Sequence, residues 1–159
     1  MKAIVNGTIV GPDRLIPDGV VLIGDDGRIA GCGERTAVQV PQDAEIIDAE
    51  DAFIAPGFVD IHCHAGDGML AYKHPYEVAL FHLKHGTTSF LPTLSYNESR
   101  KETVEGLNNI LNVIHSDLPY KRAIAGIHME GPYINPKYGA IVAPIRPVDP
   151  EEYTNILRP

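Results

Sequence analysis

The sequence predicts an α/β protein made of the first three β-α units of a (β/α)8 barrel, preceded by a run of short strands. Three observations lead to this prediction. From residue 53 onward, apolar β-type runs alternate with helical segments, which is the pattern of β-α-β units around a parallel sheet. Each repeat takes about 35 residues, so eight repeats would fill the roughly 250 residues of a whole barrel. Residues 1–52 instead alternate short β-type runs with turn signals, and their apolar surface is too small to close a core alone.

The leading strands are predicted from β-branched runs that lie between turn residues. Asn6-Gly7 is a favoured hairpin dipeptide, so we expect a tight turn between strands at residues 3–5 and 8–10. Further short strands are predicted at residues 20–23, 28–30 and 45–48.

The second part begins with a predicted buried strand over residues 58–64 and a helix over residues 75–85. Pro75 suits the first turn of that helix, and Gly86 suits a left-handed cap at its end. We expect a second strand over residues 87–93, a helix over 98–115 and a third strand over 123–130. Asp149-Pro150-Glu151-Glu152 is a helix start with a capping carboxylate and a glutamate that closes a capping box. Because a natural domain seldom ends as a helix begins, we interpret the chain as a fragment.

Composition excludes several classes of partner. With 13 basic and 21 acidic side chains the formal charge is −8, which argues against nucleic acid or an anionic membrane as the main partner. No apolar run reaches the roughly 18–20 residues of a membrane span, and no signal peptide is recognised. Cys32 and Cys63 form no CxxC pair, so we expect a reducing, cytoplasmic location.

Two short motifs carry candidate metal ligands. In a strand, His62 and His64 project to one face, where two imidazoles can reach one metal ion, and Cys63 projects into the core. By the same alternation His128 and Glu130 share a face, with His128 one layer deeper. Histidines satisfied by local hydrogen bonds, and a glutamate paired with an arginine or lysine, are the alternatives that involve no metal.

Three neighbouring residues have open roles. Asp60 either supports a ligand or pairs with a buried lysine. Thr93 either faces a substrate or caps a helix, and His82 is expected at the surface or at a helix cap.

The motifs together resemble the N-acetylglucosamine-6-phosphate deacetylase branch of the amidohydrolase superfamily. The resemblance covers essentially the whole chain, and it is carried by PGFVDIHCH at 56–64, HGTT at 85–88 and GIHMEGPYINPKYGA at 126–140. It implies that residues 1–52 are part of a β-sandwich domain and that residues 53–159 are the amino-terminal portion of a metal-dependent hydrolase barrel. It also implies a homodimer when the protein is full-length.

The resemblance also implies a set of site residues. Metal ligands would be His62, His64 and Glu130, for one or two divalent ions, with zinc favoured over iron, manganese, nickel or cobalt. Substrate would be bound beside Gly139 and Ala140. The catalytic base and further ligands would lie downstream, so we expect the chain alone to be inactive.

The implied reaction converts N-acetylglucosamine-6-phosphate to glucosamine-6-phosphate and acetate in amino-sugar catabolism. One departure weakens the substrate assignment, because Ile141 stands where the family commonly has a carbonyl-polarising histidine. The alternatives are another amidase or deaminase of the superfamily and a metal-binding fragment without catalysis.

Overall fold

The computed structural model describes residues 1–135, 137 and 146–157, and contacts divide the chain into two units, Met1–Pro56 and Gly57–Pro159. In the first unit, β1 (Lys2–Val10) alternates buried and exposed side chains along its length, as expected for a strand with one covered face. It pairs antiparallel with β2 (Leu15–Ile23), which pairs antiparallel with β3 (Ile29–Glu34). On its other side β1 pairs in parallel with β4 (Glu45–Asp48) and β5 (Phe53–Ile54).

The hairpin predicted at Asn6-Gly7 is wrong. The chain continues through these residues as a single strand, and Asn6 adopts the left-handed conformation with φ of +56°. The register of the β1–β2 ladder shifts on either side of Gly7. The dipeptide therefore forms a bulge within the strand.

The core of the first unit is small, as the sequence predicts. Its buried cluster is formed by Ala3, Val5, Val20 and Leu22. Large apolar side chains on the remaining strands, such as Ile29 and Phe53, stay about 70% exposed (70% and 69%).

The second unit contains a parallel sheet with the strand order β6 (Phe58–Cys63), β9 (Thr87–Ser95) and β10 (His128–Glu130). A small antiparallel pair, β7 (Ala65–Gly66) and β8 (Met69–Leu70), follows β6. Helix α1 (Pro75–Lys84) connects β6 to β9, and α2 (Arg100–His115) connects β9 to β10. The two predicted helices and the β-α-β order are confirmed. The capping glycine is confirmed too, since Gly86 has φ of +88°.

The hydrophobic core of the second unit lies between this sheet and its two helices. Its fully buried members come from β9, α1, α2 and the residue that follows β8, and they are Phe90, Leu94, Val78, Ala79, Ile110 and Ala71. Burying a side chain of the larger kind contributes about 1.5–3 kcal/mol.

Two predicted strands differ from expectation. Residues 121–123 form a 3-10 turn, and only Ile124 bridges β9, at Phe90, before β10 begins at His128. In β6, Val59 and Ile61 are each 69% exposed rather than buried. Among the described residues β6 is an edge strand that pairs only with β9.

The predicted last helix is present as α3 (Pro150–Leu157). Asp149 Oδ1 caps it by accepting hydrogen bonds from the backbone N–H groups of Glu151 (2.9 Å) and Glu152 (3.4 Å). The Glu152 carboxylate does not complete a capping box, because it binds Arg146 and Tyr133 instead. None of the helices in the described part of the chain has both the length and the apolar character needed to cross a membrane.

Candidate metal centre

Three side chains from the sequence motifs meet at the carboxyl ends of β6 and β10. His62 Nε2 lies 3.0 Å from His64 Nε2. The Glu130 Oε2 atom lies 3.2 Å from His64 Nε2 and 3.9 Å from His62 Nε2. One donor atom of each residue falls within 4.8 Å of the others. The three side chains are 45%, 42% and 36% exposed, so solutes reach them from one side.

This donor set fits a divalent cation. Two ligands of a tetrahedral zinc ion, each about 2.0–2.2 Å from the metal, lie roughly 3.3–3.5 Å apart. The three observed separations of 3.0, 3.2 and 3.9 Å lie around this value. Neutral imidazole nitrogen combined with a carboxylate oxygen suits Zn²⁺ and other first-row divalent ions.

Side chains, rather than the strand ladder, hold the backbone between the two histidines. The β6–β9 register shifts between Asp60 and Cys63. Asp60 Oδ1 accepts the His62 backbone N–H at 3.0 Å, and Thr93 Oγ1 accepts the Cys63 backbone N–H at 2.9 Å. Of the two roles left open for Asp60, this contact corresponds to the support of a candidate ligand.

Cys63 lies on the opposite face of the strand from the two histidines, in the core, and is 4% exposed. Its Sγ lies 3.1 Å from His82 Nε2, so the prediction of a surface or capping role for His82 is wrong. Burial, together with the nearby charge of Asp60, raises the pKa of the Cys63 thiol. A protonated thiol on the opposite face is a poor ligand, which leaves the site to nitrogen and oxygen donors.

The two roles expected for Thr93 are both wrong. Thr93 is 0% exposed and lies within β9, the central strand of the sheet, so it neither faces a substrate nor caps a helix. Its Oγ1 lies 3.2 Å from His128 Nδ1, and the His128 ring contacts the His62 ring edge-on at 4.5 Å between centroids. The sequence gives no signal for this contact, because it depends on the register among three strands.

Glu130 ends β10 because the next residue redirects the chain. Gly131 has φ of +117°, and a Cβ atom there would lie 2.8 Å from Tyr96 Cβ. Only glycine satisfies both conditions. The predicted substrate-binding residues Gly139 and Ala140, like the departure at Ile141, lie outside the described residues.

The chain is similar to several known proteins in sequence and in fold. No family model matches the chain. A deacetylase of Agrobacterium fabrum is 52% identical over 48 residues, which is 30% of this chain and 11% of the relative. The N-acetylglucosamine-6-phosphate deacetylase of Bacillus subtilis is 31% identical over 142 residues, 81% of this chain and 33% of the relative.

The structural comparison extends over nearly the whole chain. The crystal structure of N-acetylglucosamine-6-phosphate deacetylase from Pasteurella multocida matches with a TM-score of 0.78 at 22% identity, covering 99% of this chain and 41% of that one. Dihydroorotases match over shorter stretches. The dihydroorotase of Geotalea daltonii, for example, is 36% identical over 67 residues, which is 42% of this chain and 15% of the relative.

In sequence and α/β fold the chain resembles the amidohydrolase superfamily that the motifs indicate. Within it, the resemblance to the N-acetylglucosamine-6-phosphate deacetylases that the motifs predict is confirmed. The fold corresponds to the amino-terminal region of those proteins. The chain spans about a third of the length of the Bacillus subtilis enzyme, at 33%.

Proposed function

We propose that His62, His64 and Glu130 hold a divalent cation in a metal-dependent hydrolase that removes the N-acetyl group of an amino-sugar phosphate. The observation that carries this proposal is the meeting of three donor atoms from two distant motifs within 4.8 Å. All three atoms offer lone pairs to one cation, and their separations of 3.0, 3.2 and 3.9 Å are close to those between ligands of one zinc ion.

Each part of the site has a chemical task in this proposal. When bound, a divalent cation lowers the pKa of a coordinated water from 15.7 to about 7 and polarises a carbonyl oxygen. Glu130 supplies the negative charge that balances the ion, and its second carboxylate oxygen permits a second ion. Asp60 and Thr93 hold the backbone that presents the two imidazoles. The family resemblance implies that the base which would accept a proton from such a water comes from a part of the protein that follows residue 159.

The proposed substrate is N-acetylglucosamine-6-phosphate, and the proposed ion is zinc. Support comes from the Bacillus subtilis relative, whose name states this substrate. Gly139 and Ala140 are proposed to lie beside the sugar. Since Ile141 offers no hydrogen-bond donor to an amide carbonyl, the reaction class is better supported than the acyl sugar. A cytoplasmic homodimer remains part of the proposal for the full-length protein.

The test replaces Glu130 with glutamine in the full-length protein. Acetate release from N-acetylglucosamine-6-phosphate is expected to fall more than about 100-fold, because removing mere supporting partners of a metal ligand already costs 10–100-fold. Glu151→Gln, an exposed acid on α3, is the matched control and should keep wild-type turnover. Near-normal turnover of Glu130→Gln with its metal retained would refute the role. Acetate release by the 159-residue chain alone would contradict the expectation that it is inactive.

A second candidate function is the opening of a cyclic amide. The sequence matches to dihydroorotases favour it, since two of them are 36% identical over 67 residues and 30% identical over 103 residues. The same metal site would serve both reactions, so the products distinguish them. Ring opening of dihydroorotate without acetate release would favour the second candidate, and ammonia release would indicate a deaminase.

A further inference from the structure

Thr93 is a polar side chain in an apolar environment. It is 0% exposed, on the central strand of the sheet, between the strands that carry the histidine pair and Glu130. A buried hydroxyl costs free energy unless its hydrogen bonds are satisfied. Its contacts therefore show why the position holds threonine rather than valine, which has the same shape.

The contacts use the full capacity of the hydroxyl group. A threonine hydroxyl donates once and accepts twice. Thr93 Oγ1 accepts the Cys63 backbone N–H at 2.9 Å and donates to the Leu91 carbonyl at 3.1 Å. One acceptor position remains, and it faces His128 Nδ1 at 3.2 Å.

This arrangement favours one of the two tautomers of the neutral His128 ring. The Leu91 carbonyl can only accept, so all three contacts are hydrogen bonds together only if the Thr93 proton goes to Leu91 and His128 Nδ1 carries a hydrogen and donates it. The other ring nitrogen, Nε2, is then unprotonated. Strand pairing supports the contact, since His128 is opposite Thr93 in the β9–β10 register.

Thr93 thereby reaches both candidate histidine ligands. Through the Cys63 N–H it holds the backbone that lies between His62 and His64, at the place where the β6–β9 ladder is irregular. Through His128 it orients a ring that meets the His62 ring edge-on, at 4.5 Å between centroids and 71° between planes.

We propose that Thr93 is a positioning residue for the metal centre, which it serves by fixing the Nδ1–H tautomer of His128 and the backbone between His62 and His64. The inference rests on the metal site proposed above. Residues that orient metal ligands by hydrogen bonds typically change metal affinity 10- to 100-fold when they are replaced.

The test measures Zn²⁺ affinity of the 159-residue chain by competition with a chromophoric chelator. Thr93→Val is expected to weaken binding about 10- to 100-fold, and Thr93→Ser, which keeps the hydroxyl, should bind within about threefold of wild type. Thr103→Val is the matched control. Thr103 is also buried, but its hydroxyl donates only to the Ser99 carbonyl on α2, so its loss should leave Zn²⁺ affinity unchanged.

The outcomes separate this inference from the proposed metal site. If the wild-type chain binds no Zn²⁺, the metal proposal fails. If wild type binds and Thr93→Val, folded by circular dichroism, binds equally well, only the positioning role fails. An equal loss of affinity in Thr93→Val and Thr103→Val would also overturn it, because that loss would report general destabilisation.

A second measurement needs no variant. In the metal-free wild-type chain, nitrogen-15 chemical shifts of the neutral His128 ring are expected to show a proton on Nδ1 and none on Nε2. If Thr93 only filled space in the core, it would not determine which ring nitrogen of His128 carries the proton. A proton on Nε2 would overturn the proposal even if Thr93→Val fails to fold.

Discussion

Glu152 is a buried carboxylate whose removal should destabilise the second unit. Its side chain is 5% exposed at the start of α3. Arg146 Nη1 donates to one carboxylate oxygen at 2.5 Å, and the Tyr133 hydroxyl donates to the other at 2.9 Å. Arg100, which is 58% exposed, approaches at 3.6 Å. These contacts join α3 to α2 and to the segment that follows Glu130.

The expected loss of unfolding free energy arises because Glu152→Ala leaves the Arg146 charge without its partner carboxylate. Removing one partner of a buried ion pair costs about 3–5 kcal/mol, because the other charge stays buried and unpaired. Arg146 is 21% exposed, and two of its nitrogen atoms, Nε and Nη2, have no hydrogen-bond partner among the described residues. The exposed Arg100 pair contributes at most about 1 kcal/mol. Because water partly reaches Arg146, we expect a loss of about 3 kcal/mol.

Thermal unfolding followed by circular dichroism at a helix wavelength measures this loss. The three α-helices that the described residues form all lie in the second unit, so the signal reports on that unit. A loss of about 3 kcal/mol should lower its midpoint by roughly 10 °C or more. Glu151→Ala, the exposed neighbour, should lower the midpoint by only a few degrees, because an exposed acid in the first turn contributes about 0.3–1 kcal/mol. Equal midpoints for the two variants would refute the account of the buried pair.

Two further predictions concern α2 and its flank. Ser99→Ala should lower the free energy of unfolding by about 1 kcal/mol, because Ser99 and Glu102 form a reciprocal capping box at the start of α2. An unchanged midpoint in urea unfolding would contradict this prediction. Burial raises the pKa of Glu98, whose Oε2 has no hydrogen-bond partner within the described part of the chain. A raised folded-state pKa stabilises the fold at low pH, and this contribution is lost as pH rises through that pKa. The thermal midpoint of Glu98→Gln relative to wild type should therefore rise between pH 4 and pH 7, whereas a falling difference would show the opposite shift.

Local signals in the sequence predict the helices well. Pro75 and Gly86 mark the ends of α1, and Asp149 caps α3, as the structure shows. These signals act within one turn of the helix, so no knowledge of distant residues is needed. Parallel pairing of β6, β9 and β10 also follows from the alternation of strands and helices.

The errors in the predicted fold occur where contacts between residues distant in sequence determine the local structure. Asn6-Gly7 has the chemistry of a tight turn, but β2 pairs with β1 on both sides of the dipeptide, so the chain continues as one strand with a bulge. Glu152 fits a capping box by position, yet Arg146 and Tyr133 compete for its carboxylate. A local pattern cannot reveal these competing contacts.

In the candidate site, too, local patterns are predicted correctly and contacts that depend on distant residues are not. Alternation along a strand predicts that His62 and His64 share a face, and the ends of parallel strands predict that Glu130 lies beside them. The structure brings these three side chains together. Thr93 and His128 form a supporting contact that depends on inter-strand register, which the sequence does not specify.

Direct titration of the 159-residue chain with Zn²⁺ tests the central claim, that the His62, His64 and Glu130 side chains together bind a divalent ion. Isothermal titration calorimetry should show binding by wild type and a loss of at least about 100-fold in affinity for His64→Ala. His115→Ala, which removes an exposed histidine at the end of α2, should bind as wild type does. Wild-type affinity in His64→Ala, or no binding by the wild-type chain, would contradict the claim.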